Sequence, residues 1–520
     1  MQSVRARPAP ETFVYRPVHG VPRWVFAAVG YTALLVAWAM TNPLGAAPDE
    51  QAHAVRAAAA AVGQWDGQPA APFVRTPGLS TAQADRLNQS SGSFTFPAGL
   101  APVPACFQGS AGPARTCPTA HGPLGVGGTV TLPSYAGAAP ATAYIVAGMA
   151  ERLPQGLVAP EYLGRLALAL ACALLLAGAA WACAGRGGLW PMSGLALATT
   201  PMVLFLGSEL SPSGVAICAS ICFAAGVLAF WLAPPRRGLV PLIVVSAGVL
   251  LATKPAFGAV TIAAISLAAL PLVQAARLLR PAAMLGLLLV AAGLAGVGTL
   301  ARDQLPAAGP VNAVDAIPLV VRMAPELARQ AVGAFGSGDV GLPPLVTDAW
   351  EALVGLMLGA ALLVARWRDR LALVAAVAAI LFVGAAELAL LLDPVGWSLE
   401  GRHLLALAAV VPLLSGFLLQ DAGLRPRADA FVVGLLVAGL QFAAFWENAR
   451  RYAVGQNGPL DFVGSAQWAP PGGWTRWLVA AGAGCVMLAL ALVPLTGAER
   501  EDSQQTGGIV LNPDLVSISR

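Results

Sequence analysis

Apolar stretches recur along almost the whole chain, most of them bounded by a proline or a charge. A helix of roughly 20 residues crosses a hydrocarbon core of roughly 30 Å, and lipid offers backbone amides no other partner, so such stretches read as spans. Spans are expected near 24–41, 163–184, 190–207, 213–233, 239–253, 256–273, 281–300, 350–365, 371–392, 403–420, 430–446 and 475–495. With 57% hydrophobic and only 11% charged residues, the 520-residue chain reads as an all-α integral membrane protein of about twelve transmembrane helices.

Positive charge orients the spans. Arg5, Arg7, Arg16 and Arg23 precede the first one, which has no small-residue cleavage site directly after it and is read as retained. Arg186, Arg236 and Arg237, Arg277 and Arg280, Arg366, Arg368 and Arg370, and Arg425 and Arg427 then all fall on the same side. The expected organisation is a cytoplasmic N-terminus over 1–23, a polytopic domain over 24–495 and a disordered cytoplasmic tail over 496–520. Within the domain, 42–162 and 301–349 are large extracytoplasmic loops. The pair 239–273, broken at Lys254-Pro255, reads as two short spans or a re-entrant hairpin. Residues 135–149 turn apolar and are read as an interfacial, juxtamembrane segment. No internal repeat suggests a transporter's inverted halves. The net charge of +4 comes mostly from loop arginines, with no basic stripe interleaved with aromatics, so no nucleic-acid partner is expected.

Just past the first span stands Pro48-Asp49-Glu50-Gln51-Ala52-His53, with Arg56 behind it. Proline suits a helix's first turn, and carboxylates there meet the positive end of its dipole. Residues three and four apart share a face, so Asp49 and Glu50 are both expected to reach His53, and His53 to lie over Arg56. The bland alternative is a capped helix whose charges satisfy one another.

Of seven cysteines, Cys172, Cys183, Cys218, Cys222 and Cys485 lie in apolar runs and read as packing residues. Cys106 and Cys117 share the polar first loop, where a disulfide is expected over two free thiols.

Sorted by side, the outer face collects Asp49, Glu50, His53, Arg56, Glu209, Lys254, Arg302, Asp303, Asp339, Asp393, Glu400, Arg402 and His403. Lys254 stands at a span end, where a charge either snorkels or pairs. With Arg402 and His403 opening another span, a carboxylate pair beside an anion-binding crevice is expected. Sugar transfer from a lipid-linked phosphate fits it: a general base takes the acceptor's proton and cations hold the departing phosphate. Asp49 is the candidate base, with Glu50 and His53 orienting it or binding the acceptor. Lys254, Arg402, His403 and Arg56 are candidates for the donor phosphate, and Asp339 and Glu209 for the substrate. Asp49 and Glu50 are also candidates for a divalent metal, but the outer charges show no fixed ligand spacing, and none is assumed.

These motifs resemble a family of polytopic membrane proteins, domain of unknown function 2142, regarded as relatives of the GT-C glycosyltransferases. Pro48-Asp49-Glu50-x-x-His53 is similar to its P-D-E-x-x-H, and 135–149, 201–217, 251–257 (LATKPAF) and 335–343 (FGSGDVGLP) follow in order. Ser211, Ser337 and His403 depart from the residues usual there, asparagine, tryptophan and tyrosine. The resemblance covers most of 24–420. It implies a GT-C-like fold and a polyprenyl-phosphate sugar donor used on the outer face, with an acidic residue of the first outer loop as the base or beside it.

The leading expectation is an inverting membrane glycosyltransferase acting on a glycan or lipid acceptor of the cell envelope, with membrane lipids around it. The alternatives are a transporter or flippase of a lipid-linked saccharide, and a non-catalytic partner in envelope assembly. Transport predicts ionisable residues deep inside spans, where Glu387 is the main acid.

Overall fold

The computed structural model describes residues 21–70, 79–105, 107, 110–114, 128–153, 159–186, 188–233, 236–272, 312–424 and 428–493. The expected span 281–300 lies outside these residues, as do Cys106, Cys117, Arg302 and Asp303. The fold is mainly helical.

In chain order, α1 (Arg23–Thr41) leads into α2 (Glu50–Ala61), α3 (Thr81–Ser90) and α4 (Ile145–Glu151). The next helices are α5 (Pro160–Cys183), α6 (Leu189–Ala198), α7 (Pro201–Gly207), α8 (Pro212–Leu232), α9 (Leu239–Thr253) and α10 (Pro255–Ala269). After these come α11 (Ala313–Gly333), α12 (Pro344–Val364), α13 (Trp367–Glu387), α14 (Gly401–Ala408), α15 (Val410–Asp421), α16 (Ala428–Val454) and α17 (Trp474–Ala491). Among the described residues nine helices are long and apolar enough to cross a membrane, counting Gly401–Asp421 as one. With the bent pair α6–α7 and the shorter α9, they match eleven of the twelve expected spans. Within 135–149, expected as an interfacial segment, the helix is the short Ile145–Glu151.

The stretch 190–207, expected as one span, bends by 65° between α6 and α7. Pro201 cannot donate to the helix ladder, and Thr200 caps the new helix, its Oγ1 accepting from the Val203 amide. The bend frees polar groups that other helices satisfy. Gln441 of α16 donates to the Thr199 carbonyl at 2.7 Å, and the Thr200 hydroxyl donates to the Ala331 carbonyl at 2.7 Å.

Helices meet closely where side chains are small. A Cβ on Gly30 of α1 would lie 2.9 Å from the Gly484 carbonyl oxygen of α17, so these backbones touch. The core below the 42–162 segment centres on Trp38, fully buried against Phe205, Phe335 and Phe445 at ring-centroid distances of 5.9, 5.0 and 5.3 Å. Removing such an aromatic from a closed core costs about 3–5 kcal/mol.

The first large loop adds an element the sequence reading did not foresee, a small antiparallel sheet of order β1 (Gln68–Pro69), β2 (Gly92–Pro97), β3 (Thr129–Ser134). Phe94 pairs with Leu132 and Phe96 with Val130. Alternation turns Phe94 and Phe96 to one face, where they pack on Val55, Ala58 and Ala59 of α2. The loop therefore braces the helix that carries the Pro48-Asp49-Glu50 motif. A second hairpin, β4 (Ala334–Phe335) with β5 (Val340–Gly341), follows α11.

Candidate functional site

Asp49 is the N-cap of α2 and lies in the left-handed region at φ 62°, ψ 2°. It is the sole non-glycine residue with positive φ among the described residues. Aspartate tolerates that conformation better than most side chains, at a cost that marks the position as held by its surroundings. Its carboxylate makes no capping bond; instead Oδ1 accepts from the Tyr135 hydroxyl at 2.9 Å.

Asp49 opens on a cavity of about 840 Å³ that is also lined by His53, Lys254, Glu387, Arg402 and His403. These residues come from five places in the chain: the α1–α2 connection, α2, the α9–α10 joint, the end of α13 and the start of α14. Leu206, Ile217 and Phe257 give the same cavity an apolar wall. Five of the expected site residues thus meet in one crevice. Glu387, within the apolar helix Trp367–Leu392, joins them, with Oε1 3.5 Å from His403 Nδ1.

The crevice cations are restrained. Arg402 Nε lies 2.8 Å from Glu400 Oε2. Lys254 joins α9 to α10, its ammonium 5.8 Å from the Phe257 ring centroid. Burial pushes that ammonium below the ordinary lysine range, against the pull of Glu387, and Arg402 pushes it further. Burial likewise brings His53 down to about 4, with Lys254 and Arg402 adding to the effect against Asp49 and Glu50. His53 is therefore neutral at pH 7, its Nδ1 2.7 Å from the Tyr144 hydroxyl.

The other candidates are placed elsewhere. Glu50 is the first residue of α2 and its side chain is buried, whereas Asp49 before it lies outside the helix. Arg165 of α5 grips Glu50 with two bonds of 2.6 Å, Nε to Oε1 and Nη2 to Oε2, and the Leu210 amide donates to Oε1 at 3.1 Å. Glu50 thus turns to Arg165 and does not join Asp49 in facing His53. Among the described residues no group of three or more His, Cys, Asp or Glu side chains is arranged to hold a metal.

Glu209, expected at the substrate, is fully buried, with Oε2 2.6 Å from Arg165 Nη2 and Oε1 accepting from the Asn42 amide. Burial pushes the Glu209 carboxyl well up and pushes Glu50 up too, but the two-pronged Arg165 contact reverses this for Glu50 and holds it below the usual range. The two carboxyls share one guanidinium, and Glu209 is the one of the pair whose neutral form is favoured.

Arg56, expected at the phosphate, is buried, donating to the carbonyls of Trp65 at 3.2 Å and Ala139 at 3.0 Å over the Phe94 ring. It ties the first loop to α2. Asp339 is not among the residues lining the crevice; its Oδ2 accepts from Arg451 Nη2 at 2.8 Å, beside the β4–β5 turn. All four placements, of Glu50, Glu209, Arg56 and Asp339, have one cause: sequence sorts charges by side of the membrane but not by the neighbour each one finds.

Arg165 and Tyr135 were not foreseen. Arg165 had a signal, being the sole charge within 163–184, where an ionisable residue is costly unless it has a role. Tyr135 opened the 135–149 stretch that resembles the family's, but nothing in it pointed to Asp49.

A family model described as "Predicted membrane protein (DUF2142)" matches residues 33–411. No curated protein matches the chain. The crystal structure of ArnT from Cupriavidus metallidurans in the apo state is similar at a TM-score of 0.37 and 14% sequence identity, covering 90% of this chain and 75% of that one. That likeness is too distant to carry residue roles across.

Proposed function

This chain belongs to the DUF2142 family of membrane proteins, and we propose that it is a GT-C-type glycosyltransferase using a polyprenyl-phosphate sugar on the extracytoplasmic face. One observation carries the proposal: a carboxylate held in a costly backbone conformation, Asp49, shares a crevice at the ends of apolar helices with Lys254 and Arg402.

In this reading the acceptor hydroxyl oxygen attacks the sugar's anomeric carbon while Asp49 takes the hydroxyl proton. The bond from that carbon to the phosphate oxygen breaks, and its electron pair leaves with the lipid phosphate. Lys254 and Arg402 stabilise the charge that develops there. A single displacement inverts the anomeric configuration. The apolar wall of Leu206, Ile217 and Phe257 suits the first units of a polyprenyl chain. Both termini would then be cytoplasmic. The acceptor in this reading is an envelope glycan or lipid. Glu50 and Glu209 are both buried against Arg165, which weighs against transport through them.

The test is purified protein in lipid supplied with a panel of polyprenyl-phosphate sugars, following donor binding and consumption for wild type and Asp49→Asn. Consumption of one donor that Asp49→Asn abolishes while donor binding persists supports the transferase and its base. A donor that binds and is never consumed, whatever acceptor is offered, removes the enzyme reading and leaves transport or assembly to be tested.

A further inference from the structure

Arg86 also lines the crevice, from α3 in the first loop, and nothing above accounts for it. Two anchors hold α3 across the crevice. Near its start Gln83, part of a capping box with Ser80, donates Nε2 to the Gly396 carbonyl at 3.0 Å. At its end the Ser90 carbonyl accepts from the Ala138 amide at 2.9 Å, in the turn that follows Tyr135. Arg86 sits between these anchors, with Gln89 beside it on the cavity wall.

The charges of the crevice can be matched one by one. Lys254 has Glu387 as its main opposite charge, and Arg402 has Glu400. Asp49 accepts a hydrogen bond from the uncharged Tyr135 hydroxyl, and His53 is neutral at pH 7. Arg86 has neither a hydrogen bond nor an ion pair from its side chain among the described residues. A half-buried guanidinium on a fixed support is pre-organised to receive an oxyanion through two parallel N–H bonds.

We propose that Arg86 binds a second anionic group of the ligand, so that the donor carries two: the phosphate leaving towards Lys254 and Arg402, and another reaching α3. This deepens the transferase reading and rests on it. A diphosphate-linked sugar supplies that second group, and so does a monophosphate-linked sugar bearing a carboxylate.

The test measures equilibrium binding to the full-length protein in nanodiscs for wild type, Arg86→Gln and Arg86→Lys. Three probes are used: polyprenyl monophosphate with a neutral sugar, polyprenyl diphosphate with the same sugar, and polyprenyl monophosphate with a uronic acid. Wild type is expected to bind one of the two doubly anionic probes roughly tenfold or more tightly than the neutral-sugar monophosphate. Arg86→Gln should erase that advantage and leave monophosphate binding unchanged, which also shows that the variant is folded. Arg86→Lys should keep part of it. The probe that loses its advantage identifies the second group. Equal affinities for all three probes, or an advantage that survives Arg86→Gln, overturns the role of Arg86 alone and leaves it a solvated surface arginine. If wild type binds no lipid phosphate, the transferase reading falls and this inference with it.

Discussion

Arg165 holds Glu50 through two bonds of 2.6 Å, one residue after the strained backbone of Asp49. The same guanidinium donates to the carbonyls of Ala39 at 3.2 Å, Asn42 at 2.6 Å and Pro43 at 2.9 Å. Those carbonyls end α1, so one side chain from α5 fixes both the exit of the first span and the start of α2. These contacts hold the backbone on either side of Asp49, whose carboxylate accepts from the Tyr135 hydroxyl.

Replacing Arg165 with Met leaves Glu50 buried without a counter-charge, and a loss of roughly 3–5 kcal/mol is expected. Glu50→Gln should cost less, since Glu209 can release its proton and take over the pairing with Arg165. Thermal unfolding in lipid nanodiscs ranks the two; equal losses would show that Glu209 does not substitute.

Asp49→Gly relieves the left-handed backbone while removing the carboxylate, whereas Asp49→Ala removes the carboxylate and keeps the strain. The alanine variant should be less stable than the glycine variant by about 1 kcal/mol, with both equally inactive. A glycine variant that retains turnover would exclude Asp49 as the base.

Lys254→Met should weaken donor binding by roughly tenfold or more, and Lys254→Arg should recover most of it, because either cation can meet a phosphate oxygen. Titration of a polyprenyl phosphate separates this from a packing defect, which the arginine variant would not repair.

Acid should act through His53. Its pKa in the folded chain, about 4, lies below the roughly 6.5 of an unfolded histidine, so folding expels a proton between those values. The contribution is complete above about pH 6.5 and is lost as pH falls towards 4. Unfolding temperatures measured from pH 4 to 8 should therefore drop on the acid side for wild type, and drop less for His53→Asn. Parallel curves would place the acid sensitivity on other groups.

The sequence by itself determined what lipid dictates. Span lengths, the alternation of arginine clusters and the position of the Pro48-Asp49-Glu50 motif follow from local rules: a backbone in hydrocarbon must bond to itself, and charge avoids the core. Asp49, His53, Lys254, Arg402 and His403 could be gathered on one face for that reason, and they line one cavity. Only the tertiary structure decided which of two adjacent carboxylates serves the crevice. Adjacency in the chain does not say which of Asp49 and Glu50 turns inward; that depends on Arg165, more than a hundred residues along the chain, which holds Glu50. Arg56, Glu209 and Asp339 were decided the same way. A charge at the membrane edge takes the nearest unsatisfied partner the packing supplies, and no local pattern states which one that is.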